Sequence, residues 1–189
     1  MSFNLNDKSY DGSVAIFNNG IAGKVNNVKI EVVRKSSIDA DNAPDYKVNF
    51  SDKIGTVNVG FYYHTPDSQK TDEKNKALEG YNVSRVLSLA KSVLPKDYVF
   101  EEYDTSKQVL DAMFKLIKLN SEDKLVNVFV TYGTAAKSSK YLGLRYFDFV
   151  EAADTEVSRL AKKPGDVMER IEADAPATTS TSTNDSSWD

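Results

Sequence analysis

The chain has 189 residues, 40% of them hydrophobic and 28% charged, which is enough for one folded domain with a core and an appendage. It contains no cysteine and one histidine, so disulfide scaffolds, thiolate metal sites, thiol nucleophiles and histidine-based triads fall away together. The net charge of −4 is unevenly spread: residues up to Phe147 carry 20 Lys and Arg against 18 Asp and Glu, and residues from Asp148 onward carry 4 against 10. A mildly basic body with an acidic C-terminal arm is the pattern of a polyanion-binding domain with an acidic tail.

Residues 1–13 are polar with isolated Phe3, Leu5 and Tyr10, and read as a loosely attached arm. They lack the basic start and apolar centre of a secretory signal, and no apolar run approaches the roughly 18 residues of a membrane span. The expected setting is the cytoplasm, with no membrane partner. The apolar run Ser13–Asn18 is predicted as a first short strand, and Gly20 and Gly23 mark a turn or a bulged corner. Val28, Ile30 and Val32 then share one face, with Lys29 on the other. Tyr46, Val48 and Phe50 alternate with Lys47 and Asn49, and Val57, Val59, Phe61 and Tyr63 oppose Tyr62. Period-2 patterning of this kind predicts half-buried strands in an antiparallel meander.

After a polar loop from His64 to Glu73 the period changes. Ala77 through Leu94 places Val83, Val86, Leu87, Ala90, Val93 and Leu94 at helical spacing, and Pro95 ends the run. Asp104 to Asn120 predicts a second helix, capped by Thr105 or Ser106, with Val109, Leu110, Met113, Phe114 and Ile117 as its apolar stripe. Both stripes read as core. Leu125 to Ala153 then forms a hairpin. Val126, Val128, Val130 and Tyr132 oppose Asn127, Phe129 and Thr131, while Leu142, Leu144 and Tyr146 alternate with Tyr141, Arg145 and Phe147. Gly133 to Ser139 is the predicted link, longer than a tight turn and basic at its tip. Residues 155–172 predict one or two short helical pieces broken at Pro164 and Gly165, and residues 173–189, rich in Ser and Thr, predict disorder.

Catalytic constellations are scarce. His64 stands alone, no phosphate-cradling GxxxxGK[ST] or GxGxxG loop occurs, and the pairs Glu101–Glu102 and Glu122–Asp123 are ordinary for exposed loops and helix starts. The expectation is no catalytic residue, no metal and no cofactor, although a nuclease built on scattered carboxylates remains a third reading.

Binding features are plentiful. The chain has 10 Tyr, 9 Phe and 1 Trp, many of them in strands beside cations. A single nucleic-acid strand is held by cations along its phosphates and aromatic platforms under its bases, each stack worth about 1–3 kcal/mol. By alternation, Tyr62, Phe129, Tyr141, Arg145 and Phe147 lie opposite the apolar faces, Lys29 and Lys47 lie on the equivalent faces of their strands, and Lys137 and Lys140 charge the hairpin tip. These nine residues form the candidate nucleic-acid site. Trp188, the one large apolar residue of the tail, is a candidate partner anchor together with Asp189.

The order of meander, helical insertion, basic-tipped hairpin and acidic tail with a near-terminal aromatic resembles the single-stranded-DNA-binding proteins of tailed bacteriophages. VNVFVTYGTAAKSSKYLGLRYFDFVEA resembles the hairpin closing their domains, and NDSSWD resembles their recruiting tail, although here Asp189 follows the aromatic. The resemblance implies an OB fold and a role in DNA replication and recombination, with a polymerase or helicase recruited through the tail. The expected architecture is mainly β with α: a five-stranded OB-like antiparallel barrel over residues 1–154, with two helices between strands four and five. A helical extension at 155–172 and a disordered acidic tail at 173–189 follow. The expected function is non-catalytic, largely sequence-independent binding of single-stranded DNA, with homo-oligomerisation left open. A structural or assembly protein of a virion, acting through protein contacts, is the alternative.

Overall fold

A computed structural model describes residues 17–36 and 38–170. Six strands and two helices follow a short 3-10 turn at Phe17–Gly20: β1 (Gly23–Arg34), β2 (Tyr46–Ser51), β3 (Thr56–Phe61), α1 (Asp72–Val93), α2 (Ser106–Asn120), β4 (Leu125–Thr134), β5 (Lys137–Leu144) and β6 (Val150–Ala152).

The strands pair antiparallel in the order β3-β2-β1-β4-β5, and β3 returns to contact β5, so the sheet nearly closes. Beyond the end of β5, β6 takes over pairing with the first half of β4. A nearly closed five-stranded antiparallel barrel with helices between its third and fourth strands is an OB-like α+β fold. The predicted class holds, with one change of count. Of the run read as a first strand, Phe17 and Asn18 lie in the 3-10 turn and Ser13 to Ile16 lie outside the described residues, so the helices follow the third strand rather than the fourth. Asp52 explains why the chain turns there: its carboxylate accepts the backbone N–H groups of Ile54, Gly55 and Asn18, each at 2.7 Å. One side chain thus closes the β2–β3 turn and pins the 3-10 turn to it.

Strand register follows from which residues must face in. Val25 and Val28 are both buried, yet strict alternation would send them to opposite faces. A bulge between them restores the register, with Asn27 in the left-handed region at φ 58° and its N–H donated to Asn127 Oδ1 at 3.3 Å. The β4–β5 connection is tighter than the predicted seven-residue link, since Thr134 pairs directly with Lys137 around Ala135 and Ala136. Gly133 makes this approach feasible. It sits at φ 97°, and a Cβ there would lie 2.3 Å from the Lys137 carbonyl oxygen.

Both predicted helices form. α1 starts before the predicted Ala77 because the Thr71 hydroxyl accepts the Lys74 N–H and caps it at Asp72. α2 has a complete capping box, in which Thr105 accepts from Gln108 N and Gln108 Oε1 accepts from Thr105 N. Its stripe Leu110, Met113, Phe114 and Ile117 is buried against the barrel, where Phe114 stacks on Tyr46 at 4.3 Å and meets Phe61 edge-on at 5.0 Å. A polar latch adds to this contact: the Tyr46 and Tyr63 hydroxyls both donate to Asp111 Oδ1 at 2.5 Å.

The predicted helical extension does not form over residues 155–170. Those residues run instead as an irregular strap along β4. Tyr132 N donates to Val167 O at 2.8 Å, Val167 N to Gly133 O at 3.1 Å and Ala135 N to Gly165 O at 2.9 Å. Pro164 and Gly165 disfavour helix, and the free backbone groups of β4 beyond the end of β1 offer the strap its partners.

Candidate nucleic-acid interface

The strap decides which outer surface of the barrel is open. Phe129 and Arg145 do come together, as their alternation suggested, but inward of the strap rather than in a groove. Arg145 is 6% exposed and places its guanidinium carbon 4.3 Å above the ring of Phe129, itself 3% exposed. Four of its five N–H donors are engaged inside: Nε to Phe147 O, Nη2 to Asp148 O, and Nη1 to Ala161 O and Asp166 Oδ2. Phe129 and Arg145 are therefore corrected from base- and phosphate-contact candidates to buried supports of the strap. The same cover extends along β4. Asn127 is buried and donates to Glu151, and Glu151 also receives Lys24, Ser158 and the Arg159 N–H. Burial acts to raise the Glu151 pKa, but these donors together hold it below the ordinary value.

The outer face of β1, β2 and β3 is open. Cross-strand pairing aligns Lys29 with Ser51 and Thr56, Glu31 with Asn49 and Asn58, and Val33 with Lys47 and Gly60. In the last row Gly60 lets two neighbours pack directly onto the backbone. A Cβ there would lie 2.9 Å from Pro44 and 3.3 Å from the Tyr62 ring, so Tyr62 and Pro44 converge above the glycine beside Lys47. Tyr62 is 49% exposed. Lys29, Lys47 and Lys137 make no ion pair with the described residues, whereas Glu31 is occupied by the Asn49 amide at 2.8 Å. At the rim of this face Asp39 is held below its ordinary pKa by the Ser36 N–H and hydroxyl, with Lys35 and Lys47 adding attraction.

Lys137 and Tyr141 are exposed on β5. Phe147 is exposed beyond the end of β5, edge-on to Tyr146 at 4.6 Å and to Tyr81 of α1 at 5.4 Å. Tyr81 and Tyr146 were not among the predicted site residues: Tyr81 lay outside the helical stripe, and alternation placed Tyr146 on the face of Leu142 and Leu144. The Lys140 side chain, Trp188 and Asp189 lie outside the described residues. Among the described residues no group of three or more His, Asp or Glu could hold a metal ion, and no helix is long and apolar enough to cross a membrane.

The arrangement offers unpaired cations and an aromatic ring on an uncovered sheet face, which is the chemistry of backbone attraction plus stacking. No family model matches the chain, and neither a curated protein nor a solved structure matches it.

Proposed function

We propose that this protein binds single-stranded DNA, without catalysis and with little sequence preference. The observation that carries the reading is the open β1–β2–β3 face of the OB-like barrel. There the half-exposed Tyr62 packs with Pro44 over Gly60 beside Lys47, and Lys29 lies on the same face with no ionic partner among the described residues. Phosphates are attracted to the lysines and a base stacks on the ring, and neither interaction reads sequence. The interface uses Lys29, Lys47 and Tyr62, with Lys137 and Tyr141 from β5 and Phe147 beyond it. The setting is DNA replication or recombination in the cytoplasm of a phage-infected host, as the resemblance to phage single-strand binders implies. Trp188 and Asp189 recruit a replication partner such as a polymerase or helicase.

A labelled oligo-dT titration followed by fluorescence anisotropy tests the reading. Binding at low salt that weakens log-linearly with salt supports it; no binding at any salt removes it. A second reading, assembly through protein contacts, is favoured by one feature: a groove of about 580 Å³ on α2 lined by Tyr98, Tyr103, Leu116 and the exposed Leu119. That reading expects self-association or partner capture and no oligonucleotide affinity.

A further inference from the structure

Arg85 of α1 is 7% exposed and has no carboxylate partner among the described residues. A buried guanidinium is ordinarily paired with an acid, because leaving a charge in low dielectric uncompensated is costly. Here its surroundings are rings. The guanidinium carbon lies 4.3 Å from the centroid of Tyr146, 4.9 Å from that of Phe61 and 5.6 Å from that of Phe149. Of its five N–H donors only the one on Nε is used, on the Tyr146 carbonyl at 3.1 Å. Neither Nη atom makes a hydrogen bond of ordinary geometry among the described residues, although the Tyr146 side chain interacts with the guanidinium, and His64 Nε2 is the one fully buried side-chain N or O atom there left without a partner. The fork is therefore clamped by aromatic faces, with its Nη donors committed to no carboxylate among the described residues.

The mouth above it is aromatic and accessible. Tyr81, Tyr146 and Phe147 are all exposed, and Phe147 meets the other two edge-on. We propose that Arg85, Tyr81, Tyr146 and Phe147 form a subsite for one nucleotide of a single strand, the Arg85 Nη atoms binding a phosphodiester and the rings stacking the adjacent base. The subsite rests on the single-strand-binding reading and extends it onto α1, a helix inserted into the barrel. A guanidinium fork suits this ligand because two parallel N–H donors match two phosphate oxygens. Burial pushes the Arg85 pKa below its ordinary value, with Tyr146 opposing, and an arriving anion offsets that desolvation.

A purely structural plug would leave DNA bound elsewhere, so proximity must be read directly. The full chain is cross-linked by ultraviolet light to oligo-dT carrying 5-iodouracil, and adducts are mapped by mass spectrometry. Adducts are expected at Tyr81, Tyr146 or Phe147. In parallel, Arg85→Gln is expected to reduce the slope of log affinity against log salt by about 0.7, as one phosphate goes without its cation, while Tyr81→Ala weakens binding with the slope intact. Adducts confined to the Tyr62 face overturn the subsite and leave single-strand binding standing. Ring adducts with an unchanged Arg85→Gln slope overturn the phosphate role of Arg85. Absence of oligonucleotide binding at low salt overturns the function itself. Should Arg85→Gln fail to fold, the adduct map of the unaltered chain decides alone.

Discussion

Arg145 stacks 4.3 Å over Phe129 and reaches through the same guanidinium to Asp166 at 3.1 Å, joining β4 to the C-terminal strap. Both ends of this ion pair are 6% exposed at the side chain, so removing one partner strands the other in a dry site. Arg145→Ala is expected to cost about 3–5 kcal/mol of stability in urea denaturation, by the usual penalty for breaking a buried pair. The salt dependence of DNA binding by the folded protein should not change. A flattened slope at full stability would return Arg145 to the interface.

Lys29 and Lys47 lie on the open face without ionic partners among the described residues. Replacing both with Gln should reduce the salt slope by about 0.7 for each phosphate that is no longer neutralised, with the melting temperature held. Tyr62→Ala should weaken binding by about 1–3 kcal/mol and leave the slope as it was. Wild-type affinity in both the double variant and Tyr62→Ala would put the DNA on another surface.

The Tyr46–Asp111–Tyr63 latch makes stability pH-dependent at both ends. Burial acts to raise the Asp111 pKa, but the two phenol donors hold it below the ordinary value. A depressed carboxylate contributes stability that is present above the unfolded value near 4 and lost as pH falls through the folded one. For Tyr46, burial first and Asp111 second raise the pKa, so its contribution is complete below about pH 10 and lost as pH climbs beyond. Asp111→Ala should cost about 1–3 kcal/mol at neutral pH by leaving two phenols without their acceptor, and should flatten the acid limb. An unaltered acid limb in that variant would show that the latch does not govern it.

Removing residues 174–189 is expected to leave the melting temperature unchanged and DNA affinity equal or slightly higher, while association with a replication partner is abolished. The tail has no Lys or Arg, and on the proposed reading its few carboxylates would compete with DNA for screened cations, an effect of about 1 kcal/mol at low salt. A melting point several degrees lower would mean that the tail packs on the domain.

Incubation of the purified protein with labelled DNA and Mg²⁺ or Mn²⁺ should give no cleavage. The expectation rests on the lone histidine, the absence of cysteine and the scatter of the carboxylates among the described residues. Cleavage abolished by replacing a single carboxylate would establish a nuclease.

The sequence alone determined the meander, both helices, the hairpin and the membership of most faces. Those features depend on neighbours a few positions away: Val48 and Phe50 alternate with Lys47 and Asn49 in β2, and Thr105 with Gln108 closes the α2 capping box. Alternation separates two faces of a strand, yet it does not say which outer face another segment will cover. Phe129 therefore read the same as Tyr62, and only the folded chain separated them, by laying an irregular strap over β4 and the start of β1 and leaving β2, β3 and the rest of β1 open. Nothing periodic marks residues 155–170. Their place is set by backbone bonds to β4 and by the ion pairs Arg145–Asp166 and Lys163–Asp148, interactions that exist only once separate parts of the chain meet. Arg85 was equally silent, one of two cations, with Lys91, in the helical run from Ala77 to Leu94. Its role arose when Phe61, Tyr146 and Phe149 were brought around it from other parts of the chain.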